Sequence, residues 1–162
     1  MKFRFARKHL LSVFFFLTVF AVFSQQSIVD ANVITNFNNA LKLYNNKAYA
    51  AAQKTFEKVY KKAEKNSALK ADASYYNTMC AVKLNQTNAD KKVLTFVEEN
   101  PTSNKKNKIF FNVGNYYFAN KKASHALKWY KKVNKELLSV ENQKELNFKM
   151  GYGLLVTKNL AL

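Results

Sequence analysis

The residues of this chain whose types could do chemistry are few and far apart in the sequence. Cys80 is the single cysteine, and of the two histidines His9 lies close to the N-terminus, which leaves His125 as the other imidazole. Nucleophilic catalysis needs a base beside the nucleophile, and no such pair can be proposed. Glu98 and Glu99 are adjacent, so on a helix they point in different directions, and capping or solvation accounts for them.

The same residues also give no spacing typical of a metal site, and there is no glycine-rich loop to hold a phosphate group. The sequence therefore predicts a protein that is not an enzyme and that uses no metal and no cofactor. Cys80 is interpreted first as a small buried apolar residue, with a reactive or intermolecular thiol as the alternative. A lone cysteine forms no internal disulfide, so helical packing must supply the stability.

The first 24 residues predict a secretory signal peptide. A basic start with Lys2, Arg4, Arg7 and Lys8 precedes an apolar run over residues 10–23. Small Ser24 then stands before Gln25, where we expect cleavage, and residues 25–32 would form a lead-in to the folded domain. The alternative is an inner-membrane anchor formed by residues 10–23, although this run is shorter than the ~20 residues that a spanning helix needs.

The strong positive charge, +17 overall, raises the question of a polyanionic partner. Every basic residue after Arg7 is a lysine, whereas recognition of phosphates and guanine edges favours the forked guanidinium group of arginine. We therefore do not predict a nucleic-acid partner. The scattered lysines are typical of a solvated helix surface, and the alternative is attraction to acidic lipid headgroups or acidic polysaccharide.

Internal repetition is the most informative feature of the sequence. Ala52, Ala89 and Ala126 are spaced by 37 residues, and so are Ala40, Asn77, Gly114 and Gly151. Four residues after each alanine of the first column stand Phe56, Val93 and Tyr130, and three further on stand Val59, Phe96 and Val133. Apolar residues at i, i+4 and i+7 form one stripe of a helix. Each unit therefore contains an amphipathic second helix.

Short polar breaks at residues 45–48, 84–87 and 119–122 separate the two helices of each unit, so we expect antiparallel pairs. Pro101 closes the second unit. The predicted units cover residues 33–69, 70–106 and 107–143, with an incomplete fourth unit over 144–162. Longer turns are expected between units, around residues 66–70 and 101–106. The predicted class is all-α, because one proline and three glycines leave helix favourable nearly everywhere.

These columns resemble the tetratricopeptide repeat from about Val33 onward. The third unit matches that pattern best, with Phe110, Val113, Gly114, Tyr117, Ala126 and Tyr130. The first unit departs from it at Asn36 and Asn39, and the second has Asn77 where a small residue is usual. The resemblance implies a right-handed α-solenoid of about three and a half antiparallel helix pairs. The spacing of 37 residues exceeds the family's usual ~34.

In such a stack the apolar stripe of each helix pair is buried by its neighbours. The predicted packing residues are Ala40, Ala52, Phe56, Ala89, Val93, Phe96, Gly114, Tyr117, Ala126, Tyr130 and Gly151.

The resemblance also implies that the first helices line a concave groove that holds an extended peptide or a helix. By register the groove residues would be Phe37, Leu41, Tyr44, Ser74, Thr78, Phe111, Asn115, Phe118, Phe148 and Tyr152. This groove is aromatic and nearly uncharged, unlike the lysine- and arginine-bearing grooves of chaperone-binding members, so a C-terminal carboxylate is not predicted as its ligand. The alternative for several of these aromatic side chains is packing between helices.

The sequence thus predicts an exported, non-enzymatic scaffold that binds a protein partner or peptide segment. The resemblance to periplasmic tetratricopeptide proteins places it in the periplasm or at the outer membrane of a Gram-negative cell, in envelope protein assembly. The alternative is a basic surface module that binds acidic lipid or polysaccharide through its lysines. The last residues are apolar, namely Leu154, Leu155, Val156, Leu160 and Leu162. They indicate either a front part of a longer repeat protein or a docking surface for a partner or a second copy.

Overall fold

The computed structural model describes residues 31–63 and 68–159, and every element in those ranges is helical. The elements are α1 over residues 31–45, α2 Tyr49–Lys62, α3 Ala68–Lys83, α4 Ala89–Glu99, α5 Lys105–Ala119, α6 Ala123–Tyr130, a short 3-10 helix Lys135–Leu137, and α7 Val140–Asn159. The predicted all-α class is confirmed. The predicted signal peptide, its cleavage site at Ser24 and Gln25, and residues Leu160 and Leu162 lie outside the described residues.

The same backbone turn ends the first helix of each of the first three pairs. Lys47, Asn85 and Lys121 have φ angles of 61°, 51° and 58°, in the left-handed region. After α1, the N–H of Ala48 donates to the carbonyl of Leu43 at 2.9 Å, and equivalent bonds follow α3 and α5. This pattern is a Schellman motif, which satisfies helix-end carbonyls and reverses the chain.

Aromatic contacts show how the two helices of a pair run. Near the turn, the rings of Tyr44 and Tyr49 lie 5.4 Å apart, and far from it the rings of Phe37 and Phe56 lie 5.6 Å apart. Residues of the two helices that lie at similar distances from the turn are therefore in contact, as in an antiparallel pair.

Helix α3 joins two hydrophobic clusters and is buried on most of its sides. It packs against α2, α4 and α5, while α5 also packs against α6 and α7. Ala73 and Cys80 of α3 belong to the cluster shared with α1 and α2, whereas Tyr75, Met79 and Val82 belong to the larger cluster that continues to α7. One helix thus supplies core side chains to the pairs on both sides of it.

The structure buries all of the predicted packing residues except Gly151. Gly114 shows why a small residue is needed at its position. A Cβ atom there would lie 2.4 Å from Cε1 of Tyr130, so the tyrosine ring packs directly on the α5 backbone.

The position of Gly151 is a correction to the sequence prediction. Gly151 is exposed and a Cβ atom there would meet nothing within 4 Å, whereas a Cβ atom at buried Gly153 would lie 3.2 Å from Leu127. Leu146, Met150 and Gly153 form the inward stripe of α7. A two-residue change of phase rotates a helix by ~200°, so the 37-residue register does not extend into α7.

Replacing Phe56 by alanine tests the core between the first helix pair and α3. Phe56 is fully buried, so Phe56→Ala should lower the free energy of unfolding by about 3–5 kcal/mol. The control is Phe148→Ala, because Phe148 is 68% exposed and its loss should change stability by less than about 0.5 kcal/mol. Urea denaturation followed by circular dichroism measures both. Equal losses in the two variants would contradict the described burial.

The two glycines Gly114 and Gly151 give a second matched pair. Gly114→Ala should destabilise the fold by about 1–3 kcal/mol, because Tyr130 must move away from the new methyl group. Gly151→Ala should stabilise it by about 0.5–1 kcal/mol, because alanine favours an exposed helix and meets no neighbour. Thermal unfolding of the two variants decides the register of α7. If Gly151→Ala lowered the stability instead, Gly151 would face inward, as the 37-residue spacing predicted.

Candidate functional site

The ten predicted groove residues do not form one surface. Phe111 is 5% exposed and packs against the ring of Tyr130, with 6.4 Å between ring centroids, and Thr78 is 4% exposed. The prediction of an open groove position is therefore wrong for Phe111, and Thr78 reaches the surface only in the lining of a cleft between α2 and α4. Helix α3 packs against α1, α2, α4 and α5, and α5 packs against α3, α4, α6 and α7. Only narrow strips of the surfaces of these two helices therefore remain open.

The remaining predicted groove residues fall into separate regions. Phe37 and Leu41 are half-buried against the core of α1, α2 and α3, with the ring of Phe37 6.0 Å from that of Tyr76. At the other end of the molecule, Tyr152 lies 5.7 Å from Phe118 and stacks on Phe148 at 6.4 Å. Phe148 and Tyr152 stay exposed over more than half of their surfaces.

Ser74 and Thr78 line a cleft between α2 and α4, whose floor is α3. We refer to it as the α2–α4 cleft. Its volume is about 770 Å³, and Asn77 stands between the two predicted residues in its lining. The sequence placed Ser74 and Thr78 in the same groove as Tyr44, whereas the structure separates them by the thickness of α3.

Tyr44 and Asn115 line a second opening of about 520 Å³, formed by the ends of α1, α3 and α5. We refer to it as the α1–α3–α5 cleft. Its other lining residues are Lys47, Tyr49, Met79, Lys83, Asn112, Tyr116, Ala119 and Asn120. This cleft is the candidate functional site, because it joins two predicted groove residues to convergent polar side chains from four segments of the chain.

Two asparagines of α5 are held in fixed orientations at this site. The Nδ2 group of Asn112 donates to the Tyr75 hydroxyl at 2.6 Å. Burial raises the pKa of Tyr75 to about 12, although the bond from Asn112 opposes this, so its hydroxyl stays protonated at neutral pH. Three residues further on, the Oδ1 atom of Asn115 accepts from the Tyr130 hydroxyl at 2.6 Å and from the Lys149 amine at 3.1 Å.

Each of the two asparagines keeps one side-chain group that these hydrogen bonds do not use. Among the described residues nothing donates to the Oδ1 atom of Asn112, and nothing accepts from the Nδ2 group of Asn115. Residues three apart are neighbours on a helix surface. The cleft therefore presents a hydrogen-bond acceptor beside a hydrogen-bond donor.

Two lysines make this cleft basic, which the sequence did not predict. Lys83 lies with its amine 4.9 Å from the centre of the Tyr116 ring. Burial lowers the pKa of Lys83, and the nearby charge of Lys47 lowers it further. The lining contains no carboxylate, so the expectation of a nearly uncharged groove does not hold here.

Residues Lys47, Lys83, Asn112 and Tyr116 are the site residues that sequence reasoning missed. Lys83 follows Met79 at helical spacing, and Asn112 precedes Asn115 by three positions. These spacings place the residues on shared faces, but no periodicity showed that the faces belong to the same cleft.

The residues considered for chemistry lie apart from this cleft. Cys80 is fully buried, and burial raises the pKa of its thiol to about 12. His125 is exposed on α6, with its ring 5.4 Å from Tyr117. Within the part of the chain that the structure describes, no three histidine, cysteine or acidic side chains cluster as a metal site requires.

In the same ranges, none of the helices combines the length and the apolar character that a membrane span needs. Comparison with protein-family models, with curated proteins and with solved structures found no match.

The burial of Cys80 predicts slow chemical labelling. The thiolate is the reactive form of cysteine, and both burial and a raised pKa suppress it here. We expect 5,5′-dithiobis(2-nitrobenzoate) to label Cys80 only after unfolding in denaturant, measured by absorbance. Rapid stoichiometric labelling of the folded protein would instead support the alternative of a reactive thiol.

Proposed function

We propose that this protein is a non-enzymatic binding module that holds an extended segment of a partner protein in the α1–α3–α5 cleft. One observation carries this proposal, namely the available acceptor on Asn112 beside the available donors on Asn115. The backbone of an extended peptide presents one N–H and one C=O per residue. Two neighbouring asparagines with opposite free groups match that pattern.

The surroundings of the two asparagines support the same ligand. Tyr44, Tyr49 and Tyr116 supply aromatic surface on which side chains can pack. Lys47 and Lys83 add positive charge at one edge, which favours acidic residues in the bound segment. Tyrosines and amides that converge on a cleft are typical of a site that fixes a ligand through a few polar groups.

We propose that the helix pairs stack as in a tetratricopeptide-like, right-handed solenoid. Contacts of α3 with α5 and of α5 with α7 support this arrangement, because they join the first helices of successive units. The repeated turn at Lys47, Asn85 and Lys121 supports it as well. In this arrangement the first helices would carry the partner.

Export to the periplasm or the outer membrane, and a role in envelope protein assembly, are also part of the proposal. They are supported by the basic start and the apolar run of residues 1–24. An interaction module with a basic cleft would suit the capture of an acidic segment of another envelope protein.

Peptide selection tests this proposal. A phage-displayed library of random peptides is selected on the immobilised protein, and one selected peptide is synthesised for calorimetry. Asn115→Asp keeps an oxygen for Tyr130 and Lys149 but removes the amide donors. It should weaken peptide binding roughly tenfold, because a peptide carbonyl loses its partner.

The control is Asn104→Asp, which makes the same charge change at the exposed start of α5, outside the cleft. Binding to this control should match the unmodified protein. Equal affinity of the two variants would place the peptide elsewhere, and failure to select any peptide would refute the proposed function.

A further inference from the structure

The α2–α4 cleft is a second polar opening, and it is separate from the proposed partner site. One wall comes from α2, the other from α4, and the floor consists of Ser74, Asn77 and Thr78 of α3. It is the larger of the two clefts, at about 770 Å³.

Asn77 accounts for the open space between the two walls. Its column in the sequence holds Ala40 and Gly114 in the neighbouring units, both of which are buried. Asn77 instead donates from Nδ2 to the carbonyl of Gln53 at 3.1 Å, and its Oδ1 atom lies 3.5 Å from the amine of Lys92. One amide therefore spans from α2 to α4 where a small residue would let the helices close.

Two glutamine side chains are also held by hydrogen bonds in the same region. Gln53 and Gln86 exchange side-chain hydrogen bonds, at 3.2 Å in one direction and 2.8 Å in the other. Both side chains line the cleft. The polar groups here are thus ordered by the fold before any ligand binds, which lowers the entropic cost of binding.

The charges of the cleft point to an anionic ligand. Glu57 pairs with Lys61 at 2.6 Å, and this hydrogen bond lowers the pKa of Glu57. Burial and the nearby charge of Glu99 raise the pKa of Tyr60. The lining thus holds four lysines against two carboxylates, and one of these carboxylates is already paired with a lysine.

Besides Lys61, three other lysines line the cleft. Lys54 and Lys91 form no ion pair with any residue that the structure describes. Lys92 lies 3.5 Å from the Oδ1 atom of Asn77, and its charge also helps to lower the pKa of Glu57. An anion that entered the cleft could therefore pair with the amines of Lys54 and Lys91.

The uncharged lining indicates what else the ligand carries. Hydroxyl groups of Ser74, Thr78 and Thr95 and several side-chain amides stand in it beside apolar surface, to which Ala50 and Phe96 contribute. Ordered amides and hydroxyls suit a ligand that is dense in hydroxyl groups.

We propose that the α2–α4 cleft binds an acidic polysaccharide, with sugar hydroxyls on the amides and hydroxyls of its floor and uronic-acid carboxylates on Lys54, Lys91 and Lys92. The ring of Tyr60 also lines the cleft, and the amine of Lys70 lies 4.7 Å from the centre of that ring. Because this site does not include Asn112 or Asn115, a failure of the proposed partner site would not affect this proposal, and the reverse also holds.

Titration with a defined oligogalacturonate, followed by calorimetry on the full chain, tests the proposal. The double variant Lys54→Gln with Lys91→Gln should bind it roughly three- to tenfold more weakly, because two exposed charge contacts are lost. The matched control is Lys108→Gln with Lys144→Gln, which removes two exposed lysines outside the cleft. Its affinity should stay within about twofold of the unmodified protein.

Two further ligands separate a sugar site from simple charge attraction. The fully methyl-esterified oligomer should not bind, since its carboxylates are neutral, and a poly-glutamate peptide of equal charge should bind more weakly than the oligogalacturonate. Equal losses in the two double variants would overturn the proposal, and so would equal binding of poly-glutamate, because either result would mean non-specific attraction to polyanions. Absence of oligogalacturonate binding would also overturn it.

Discussion

The packing of Tyr76 between the first helix pair and the second is the contact on which the rest of this fold depends. Its ring stacks on Phe56 of α2 at 5.2 Å and meets Tyr44 of α1 at 5.3 Å. Neither helix of the first pair can bury its apolar stripe alone, so α3 must cover it. Because α3 also carries Tyr75 and Met79 on other sides, it then needs α4 and α5 in turn, and burial propagates along the chain.

Both clefts arise where polar residues interrupt this chain of apolar contacts. Asn77 stands at a repeat position that holds alanine or glycine in the neighbouring units. It bridges α2 and α4 with hydrogen bonds, whereas a small residue would let the two helices approach each other. Asn112 and Asn115 are bonded to tyrosines of the core, Tyr75 and Tyr130. Amides inside a helical stack are stable only when they are hydrogen-bonded. Their remaining groups then face openings with fixed geometry, which is what recognition requires.

The distribution of lysines gives the two clefts a shared electrostatic character. Carboxylates are few in the chain. In the α2–α4 cleft Glu57 is paired with Lys61, and the α1–α3–α5 cleft has no carboxylate in its lining. A surface of this kind attracts anions from a distance, and salt weakens that attraction. In the two proposed sites, specificity would therefore come from the ordered amides and tyrosines, which differ between the clefts.

The scarcity of proline and glycine was sufficient to predict the all-α class, and short polar stretches predicted the breaks near Lys47, Asn85 and Lys121. Apolar periodicity predicted the burial of residues such as Phe56 and Tyr130. These features are local, since a stripe and a turn depend on residues close together in the chain. The tertiary structure alone decided that Gly153 and not Gly151 faces inward, that Phe111 is core, and that Lys47 and Lys83 line the same cleft as Asn115. The direction of a side chain depends on how far its helix is rotated against its neighbours, and that rotation is set by contacts such as Leu127 on Gly153, which no repeat period within a single chain encodes.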